Sequence, residues 1–351
     1  MHTPPMDSPD LTRIPAADPS RAYRYRDGLY AADLVTAALV HLDFFTWLAA
    51  NPSGLAAICS HFKFAERPTD VMMTLFTANG FVRREGEVFQ LSDSGREFLT
   101  AESAWSLAPY YRSLKDRPVT KDYLKVLSTG KPANWGGYDE DDAADWHRSM
   151  EDETFARQFT AAMDCRGVLL GPAMAKALDL SGSSRLLDIG GGSGIYACSL
   201  VANHPHLTAT VFDQASVEKI ATKRIVELGF ADRVAVRAGD MLKEDLPAGY
   251  DLHLFSNVLH DWDLPEVRQL LAASFNALEA GGMLVIHDAF IDADKTGPLP
   301  VAEYSALLMH STQGKCYSTG EYETLLTEAG FRGFSFQTTA ADRGVMTAGK
   351  P

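Results

Sequence analysis

The segment Leu186-Leu187-Asp188-Ile189-Gly190-Gly191-Gly192-Ser193-Gly194 constrains this chain more than any other. A buried strand runs into a glycine-rich turn and then directly into an apolar helix. Glycine admits positive φ and carries no Cβ, so the backbone can turn sharply and a ligand can lie against it at the carboxyl edge of a sheet. From Arg185 onward the texture alternates: RLLDI, TATVFD, RVAVRAGD, DLHLFSNVL and GGMLVIHDAF are strand-like, and helical stretches follow the first, second and fourth. Such alternation specifies a doubly wound α/β sheet. The tail FRGFSFQTTAADRGVMTAG predicts a closing hairpin.

The acids around this turn discriminate between ligands. Gly190-x-Gly192-x-Gly194 is tighter than the G-x-G-x-x-G of dinucleotide folds. Asp188, inside the strand end, would repel a pyrophosphate but suits a ligand ammonium, met directly or through water. Asp213 closes TATVFD, a position from which an acid accepts hydrogen bonds from both ribose hydroxyls. Asp240, followed by Met241 in AGDM, closes the third strand, where it can bond an adenine amino group. Three acids in register imply S-adenosylmethionine (SAM); the competing readings are a dehydrogenase or a ligand-free α/β domain.

At 351 residues the chain is long enough for two domains. Upstream, Ala31 to Ala50 predicts one largely apolar helix, too apolar to be sheathed by a small domain alone. Shorter helices are predicted at Gly54–His61 and Pro68–Ala78, then a hairpin around Arg84-Glu85-Gly86. Helix, helix, helix, hairpin is the winged-helix order, usually a DNA-binding one. Here Ile14 to Thr100 holds eight Lys/Arg against ten Asp/Glu, and TDVMMTLFTA in the recognition position has no Lys or Arg. Its Met72, Met73, Leu75 and Phe76 suggest an apolar face against another surface, such as a second subunit. A formal charge of −14 also argues against nucleic acid and anionic membranes as partners. Helices are expected around Trp105–Leu114, Lys121–Leu127, Glu140–Met150 and Thr154–Leu178. The first twenty residues lack signal-peptide features and read as a loose arm, and four dispersed cysteines suit a reducing cytoplasm.

From about Ala31 to the C-terminus the chain resembles the class I SAM-dependent O-methyltransferases that carry an N-terminal winged-helix dimerisation domain. LLDIGGGSG matches their cofactor motif, AGDM the adenine-side motif and NVLHDWD the catalytic motif. The resemblance implies SAM as methyl donor, a small-molecule acceptor and an intertwined homodimer. The organisation expected is an arm (1–20), a mostly helical winged-helix dimerisation domain (21–104), a helical linker roofing the acceptor pocket (105–180) and a Rossmann-like SAM-binding domain (181–351).

His260 follows the strand DLHLFSNVL and should project from its carboxyl end into the crevice, beside Asn257 and Asp261. Methyl transfer to a hydroxyl needs the proton removed, and a neutral imidazole can take it; the resemblance gives this histidine that role. It also implies a carboxylate after the fifth strand to orient the histidine, here Asp288. A second acid follows in a Gly-Gly-x-Glu-Arg-Thr segment of the family, but here Gln313 to Ser318 places Cys316 and Tyr317 where the family has Glu and Arg. His253, His287, His204 and His206 are expected to be structural.

Trp146, Met150, Phe155, Phe159 and Met163 fit helices roofing an acceptor pocket, and the last three share one helical face. A flat, apolar acceptor follows. The helix VAEYSALLMHS, with Met309 and His310, is expected to face the same pocket. No metal is needed for O-methylation. The alternative is a C-methyltransferase in which His260 and His310 ligate a metal that holds a 2-oxo acid as its enolate. A third reading, a SAM-sensing winged-helix regulator, would need a basic helix face that the sequence does not supply.

Overall fold

The computed structural model describes residues 9–133 and 153–351, with residues 153–159 described as backbone only. Seven strands form one sheet: β3 (Arg185–Ile189), β4 (Thr208–Asp213), β5 (Val234–Ala238), β6 (Tyr250–Ser256), β7 (Leu278–Asp288), β8 (Arg332–Thr338) and β9 (Gly344–Gly349), in the order β5-β4-β3-β6-β7-β9-β8. The five strands from β5 to β7 are mutually parallel, and β9 pairs antiparallel with β7 and β8. This is the expected α/β sheet with its closing hairpin. Leu186, Leu187 and Ile189 on β3 are fully buried, as a central parallel strand covered on both faces must be. Chain order reverses across β3 and β6, and their carboxyl ends open the crevice in which such sheets bind ligands.

The N-terminal region is helical. Its long apolar stretch departs from the expected single helix: Ala31–Thr36 is α-helical, Ala37–His41 is a π turn, and Phe44–Ala50 resumes at 64°. The Leu42 amide reaches back to the Ala37 carbonyl, five residues away. Asp43 then takes the left-handed conformation at φ 47, accepts a 2.6 Å bond from the Thr46 hydroxyl, and its carbonyl accepts the first bond of the resumed helix from the Trp47 amide. Leu55–Phe62 and Glu66–Ala78 follow, then β1 (Val82–Glu85) paired with β2 (Val88–Leu91), and Asp93–Leu99 capped by Ser92. Among the described residues no single helix is long and apolar enough to cross a membrane.

Burial corrects one expectation. Leu34, Phe44, Phe45, Met72, Met73, Leu75 and Phe76 are all at most 1% exposed within the chain itself. The cover comes from the C-terminal half, where the helix Leu299–Ser311 adds Val301, Ala302, Ala306 and Met309 to the same core. No second subunit is required to sheath these helices. The end of the expected arm is also anchored: Leu11 is buried, its carbonyl accepts from Asn203, and Ser20–Asp27 is a helix. Trp105–Leu114 is helical only over Ala108–Tyr111, with a 3-10 turn at Arg112–Leu114, Pro118–Thr129 extends beyond the expected bounds, and Glu153–Ala177 matches them to within one residue at each end. The helix expected at Glu140–Met150 lies outside the described residues.

Candidate active site

The cavity lies where the carboxyl ends of β3, β4 and β6 meet two helices. On one side are Gly190, Gly191, Gly192, Asp213, Asp240 and Met241; on the other are Asn257, His260, Asp261 and Trp262. The roof helix Glu153–Ala177 contributes Met163 and Arg166, and Leu299–Ser311 contributes Tyr304, Leu307, Leu308 and Ser311. These four recur at i, i+3, i+4 and i+7, so one stripe of that helix faces the cavity.

The three glycines flanking the turn adopt positive φ: 68 at Gly190, 57 at Gly192 and 78 at Gly194. Of these, only at Gly192 would an added Cβ meet nothing among the described residues, so this backbone faces the cavity. Asp213 accepts bonds from the Gly192 amide at 2.8 Å and the Gln214 amide at 2.7 Å, and burial pushes its carboxyl up. Asp240 accepts from the Leu242 amide and pairs with Lys243.

Asp188 is placed differently from the expectation. It lies beneath the turn, fully buried and away from the cavity lining, and a Cβ on Gly191 would come within 2.5 Å of its Oδ2. Burial first, and then the charge of Asp213, push it up to about 7. Its contact with a cavity ligand therefore runs through the glycine turn.

His260 stands on a 3-10 turn, Leu259–Asp261, and is 3% exposed. Its Nδ1 donates to Asp288 Oδ1 at 2.5 Å, which leaves Nε2 as the basic nitrogen, 3.6 Å from Asp261 Oδ1. Burial is the largest influence and pushes the imidazole down. Asp288, Asp261 and the hydrogen bond together outweigh it and leave His260 above its ordinary value. Burial likewise pushes Asp288 up, yet His260 and the Ala289 amide hold it below the usual carboxylate range. Asp261 keeps 26% of its side chain exposed toward the cavity, and burial, reinforced by Asp288, pushes it to about 6. The Tyr304 ring meets His260 edge-on at 5.9 Å.

His310 and Met309 do not line the cavity. Nε2 of His310 pairs with Asp122 of the N-terminal region at 3.2 Å, its ring packs between Tyr30 and Tyr123, and Met309 is fully buried in the helical core. The reason is rotation: residues 309 and 310 fall on the opposite face of the helix from Tyr304 and Leu308. His260 and His310 are therefore not a ligand pair, and among the described residues no cluster of three His, Cys, Asp or Glu could hold a metal. Cys316 and Tyr317 are buried as well; burial raises the thiol well above its ordinary value, and the phenol donates to the Trp262 carbonyl at 2.7 Å. His253 and His287 are buried against Ser274 and Ser256, and burial lowers them to about 4 and about 3. Trp146 and Met150 lie outside the described residues, as do the side chains of Phe155 and Phe159.

Arg166 was not singled out from the sequence. Its Nη2 donates to Asn257 Oδ1 at 3.0 Å, while its Nε is buried with no partner among the described residues. Asn257, at φ 55, also donates to the Tyr196 hydroxyl at 3.1 Å. A signal existed: a cation three residues after Met163 shares the face expected to roof the pocket. A SAM-sized ligand fits these residues, since the turn offers open backbone, Asp213 an acceptor and Arg166 a cation on the cavity lining for a carboxylate.

The family model described as the O-methyltransferase domain matches residues 138–332. The chain is 31% identical over 314 residues to the 3-hydroxy-5-methyl-1-naphthoate 3-O-methyltransferase of Streptomyces sahachiroi, covering 86% of each protein. It is 28% identical over 313 residues to the L-tyrosine C(3)-methyltransferase of Streptomyces lavendulae, covering 86% of this chain and 83% of that one. An O-methyltransferase family 2 protein from Planctomyces limnophilus, crystallised with apigenin, is 29% identical and matches with a TM-score of 0.88, covering 99% of this chain and 100% of that one.

Proposed function

This chain belongs to the O-methyltransferase family and is a SAM-dependent methyltransferase, and on that premise we propose that His260 is its general base and a hydroxyl on a flat aromatic metabolite its acceptor. The observation that carries this reading is the His260–Asp288 pair at 2.5 Å, opening on the same cavity as the glycine turn. SAM, when bound, supplies an electrophilic methyl group on a sulfonium. Gly192 and Asp213 would hold the adenosyl part, Asp240 and Met241 would flank the adenine, and Arg166 would hold the methionine carboxylate. Asp188 supports the turn from below.

The chain's own chemistry is then proton management. Asp288 fixes the proton on Nδ1 and favours the imidazolium that forms as Nε2 takes the acceptor's proton. Asp261, beside Nε2, adds to that stabilisation. Met163, Tyr304, Leu307 and Leu308 supply apolar walls that suit a ring system and exclude water. The named relatives act on a hydroxynaphthoate and on tyrosine, both aromatic acids bearing a phenolic hydroxyl, and one of them methylates carbon. The test is a product screen with methyl-labelled SAM against hydroxynaphthoates, flavones and phenolic amino acids, with wild type and His260→Ala. Label on oxygen by NMR, lost in the variant, is the expected result; label on ring carbon, or an active variant, overturns the reading.

A homodimer is proposed on a different surface from the helices first considered. Phe98, Trp105, Leu107 and Tyr110 lie within thirteen residues of chain and are exposed, Tyr110 at 80%. Large apolar side chains grouped on a surface mark an interaction site. We assign them to a partner-facing side made by the end of the winged-helix dimerisation domain and the start of the linker that follows it. Trp105→Glu with Tyr110→Glu should convert a dimer to a monomer by light scattering; a wild-type monomer at micromolar concentration removes the proposal.

A further inference from the structure

We propose that Arg67, in the helical N-terminal region, is a positioning residue for the catalytic turn, gripping from behind the backbone that carries His260. This rests on the reading of His260 as base. Arg67 is the second residue of the helix Glu66–Ala78 and is 8% exposed. Its Nη1 donates to the Gly314 carbonyl at 2.7 Å, its Nη2 to the Gly130 carbonyl at 2.5 Å, and its Nε stands 3.6 Å from Asp263 Oδ2. One planar guanidinium thus joins the C-terminal end of the helix Pro118–Thr129, the strap that follows Leu299–Ser311, and the residue directly after Trp262. A planar fork with five donors can do this; an ammonium cannot.

The strap lies flush on the catalytic turn. At Gly314 an added Cβ would collide with the His260 carbonyl and stand 2.7 Å from the Trp262 nitrogen. Gln313 donates its amide to the Asp261 carbonyl, and Tyr317 its hydroxyl to the Trp262 carbonyl. The strap therefore holds the backbone of residues 260–262 by direct packing at Gly314 and by hydrogen bonds on either side of it. Arg67 fixes Gly314. One helical turn later, Asp70 repeats the grip on the next strap residue, accepting from Lys315 Nζ at 2.5 Å and from Lys295 Nζ at 2.8 Å, with Glu321 completing the group.

The arrangement uses binding geometry that remote residues must supply, because a displacement of about 1 Å at reacting groups costs about a hundredfold in rate. Without Arg67 the strap and turn can shift together, and the 2.5 Å contact of His260 with Asp288 lengthens. The groups facing the imidazole are Asp288, Asp261, Arg166 and Tyr304. Loosening the first weakens the largest influence that raises the imidazole, so the acid limb of the rate profile moves to lower pH.

The experiment measures kcat, KM, the SAM dissociation constant and the pH–rate profile for Arg67→Ala, Arg67→Lys, Gly314→Ala and His260→Ala. Support consists of a kcat reduced about ten- to a hundredfold in Arg67→Ala, SAM affinity within about threefold, an acid limb displaced downward, Arg67→Lys in between, and Gly314→Ala reproducing the loss with Arg67 intact. Should Arg67→Ala not fold, the Lys and Gly314 variants decide alone. Wild-type kcat and pH profile in Arg67→Ala, with only a lower Tm, or a fully active Gly314→Ala, overturns the proposal. An active His260→Ala instead overturns the general-base reading on which it stands.

Discussion

Nδ1 of His260 and Oδ1 of Asp288 lie 2.5 Å apart with both side chains at most 4% exposed, so the imidazole has one tautomer and one orientation. The histidine is active as a base when neutral, and activity therefore rises with pH through its pKa. That pKa is raised, so the limb should fall above His260's ordinary 6.5. In Asp288→Asn the carboxylate is gone and burial prevails, so the limb should move below that value. The remaining amide can also hold the wrong tautomer, and kcat should fall about a hundred- to ten-thousandfold with SAM affinity unchanged. A rate profile in Asp288→Asn superimposable on wild type would show that the pair is not part of proton transfer.

Asp188 gives a second pH effect, of opposite character. Its carboxyl is raised from 3.8 to about 7 by burial and by Asp213. A carboxyl raised on folding costs stability as pH climbs above 3.8, and the cost is complete beyond 7. Asp188→Asn should therefore raise the Tm of the ligand-free enzyme at pH 8 and leave it nearly unchanged at pH 4. A cationic ligand favours the ionised form, so wild-type SAM affinity should strengthen between pH 5.5 and 8, and the variant should bind weakly with a flatter profile. Calorimetry across that range decides; an unaltered pH dependence in the variant would remove Asp188 from the linkage.

The contrast between these residues shows what sequence pattern can carry. LLDIGGGSG and NVLHDWD place both ends of the cavity because strand, turn and next residue are contiguous, and contiguity dictates where a side chain emerges from a strand end. Asp288 follows only from the family resemblance, which implies a carboxylate after the fifth strand. The depth of Asp188 is not legible, since whether an acid at a strand end faces the ligand or lies under the turn depends on how closely the turn folds over it, here so closely that a Cβ on Gly191 would collide with its carboxylate. The break at Asp43 is a single left-handed residue inside an apolar run, and Asp43 offers no pattern that distinguishes it from a helical one. The burial of Met72, Met73 and Phe76 against Leu299–Ser311 is contact between segments more than two hundred residues apart. Sequence proximity says nothing of it, so the pattern alone points to another surface, such as a second subunit.

His310 turns on the same helix rotation. It faces Asp122 and two tyrosine rings, away from the cavity, and burial lowers its pKa despite that carboxylate. His310→Ala should lower Tm, by the loss of about 1 kcal/mol from a partly buried hydrogen bond, and leave kcat within about threefold. Activity should persist in EDTA after dialysis. Loss of turnover comparable to His260→Ala, or abolition by the chelator, would restore the metal-assisted C-methylation reading.

Gly192 and Gly194 separate ligand space from packing space within one turn. Both adopt positive φ, so alanine at either carries a backbone penalty of about 1 kcal/mol. At Gly194 the new Cβ would also press on Ile225 at 3.0 Å and Val211 at 3.1 Å, both fully packed, whereas at Gly192 it meets no atom of the described residues. Gly194→Ala should therefore lose clearly more Tm than Gly192→Ala in the absence of ligand. SAM binding should reverse the order, because the empty side of Gly192 is where the ligand must lie: Gly192→Ala should weaken SAM at least tenfold, and Gly192→Val should abolish detectable binding, although the apo protein remains folded. If thermal melts rank the two alanine variants as stated while calorimetry gives Gly192→Val the wild-type SAM affinity, the cofactor does not lie against this turn, and the assignment of Asp213 to its ribose falls with it.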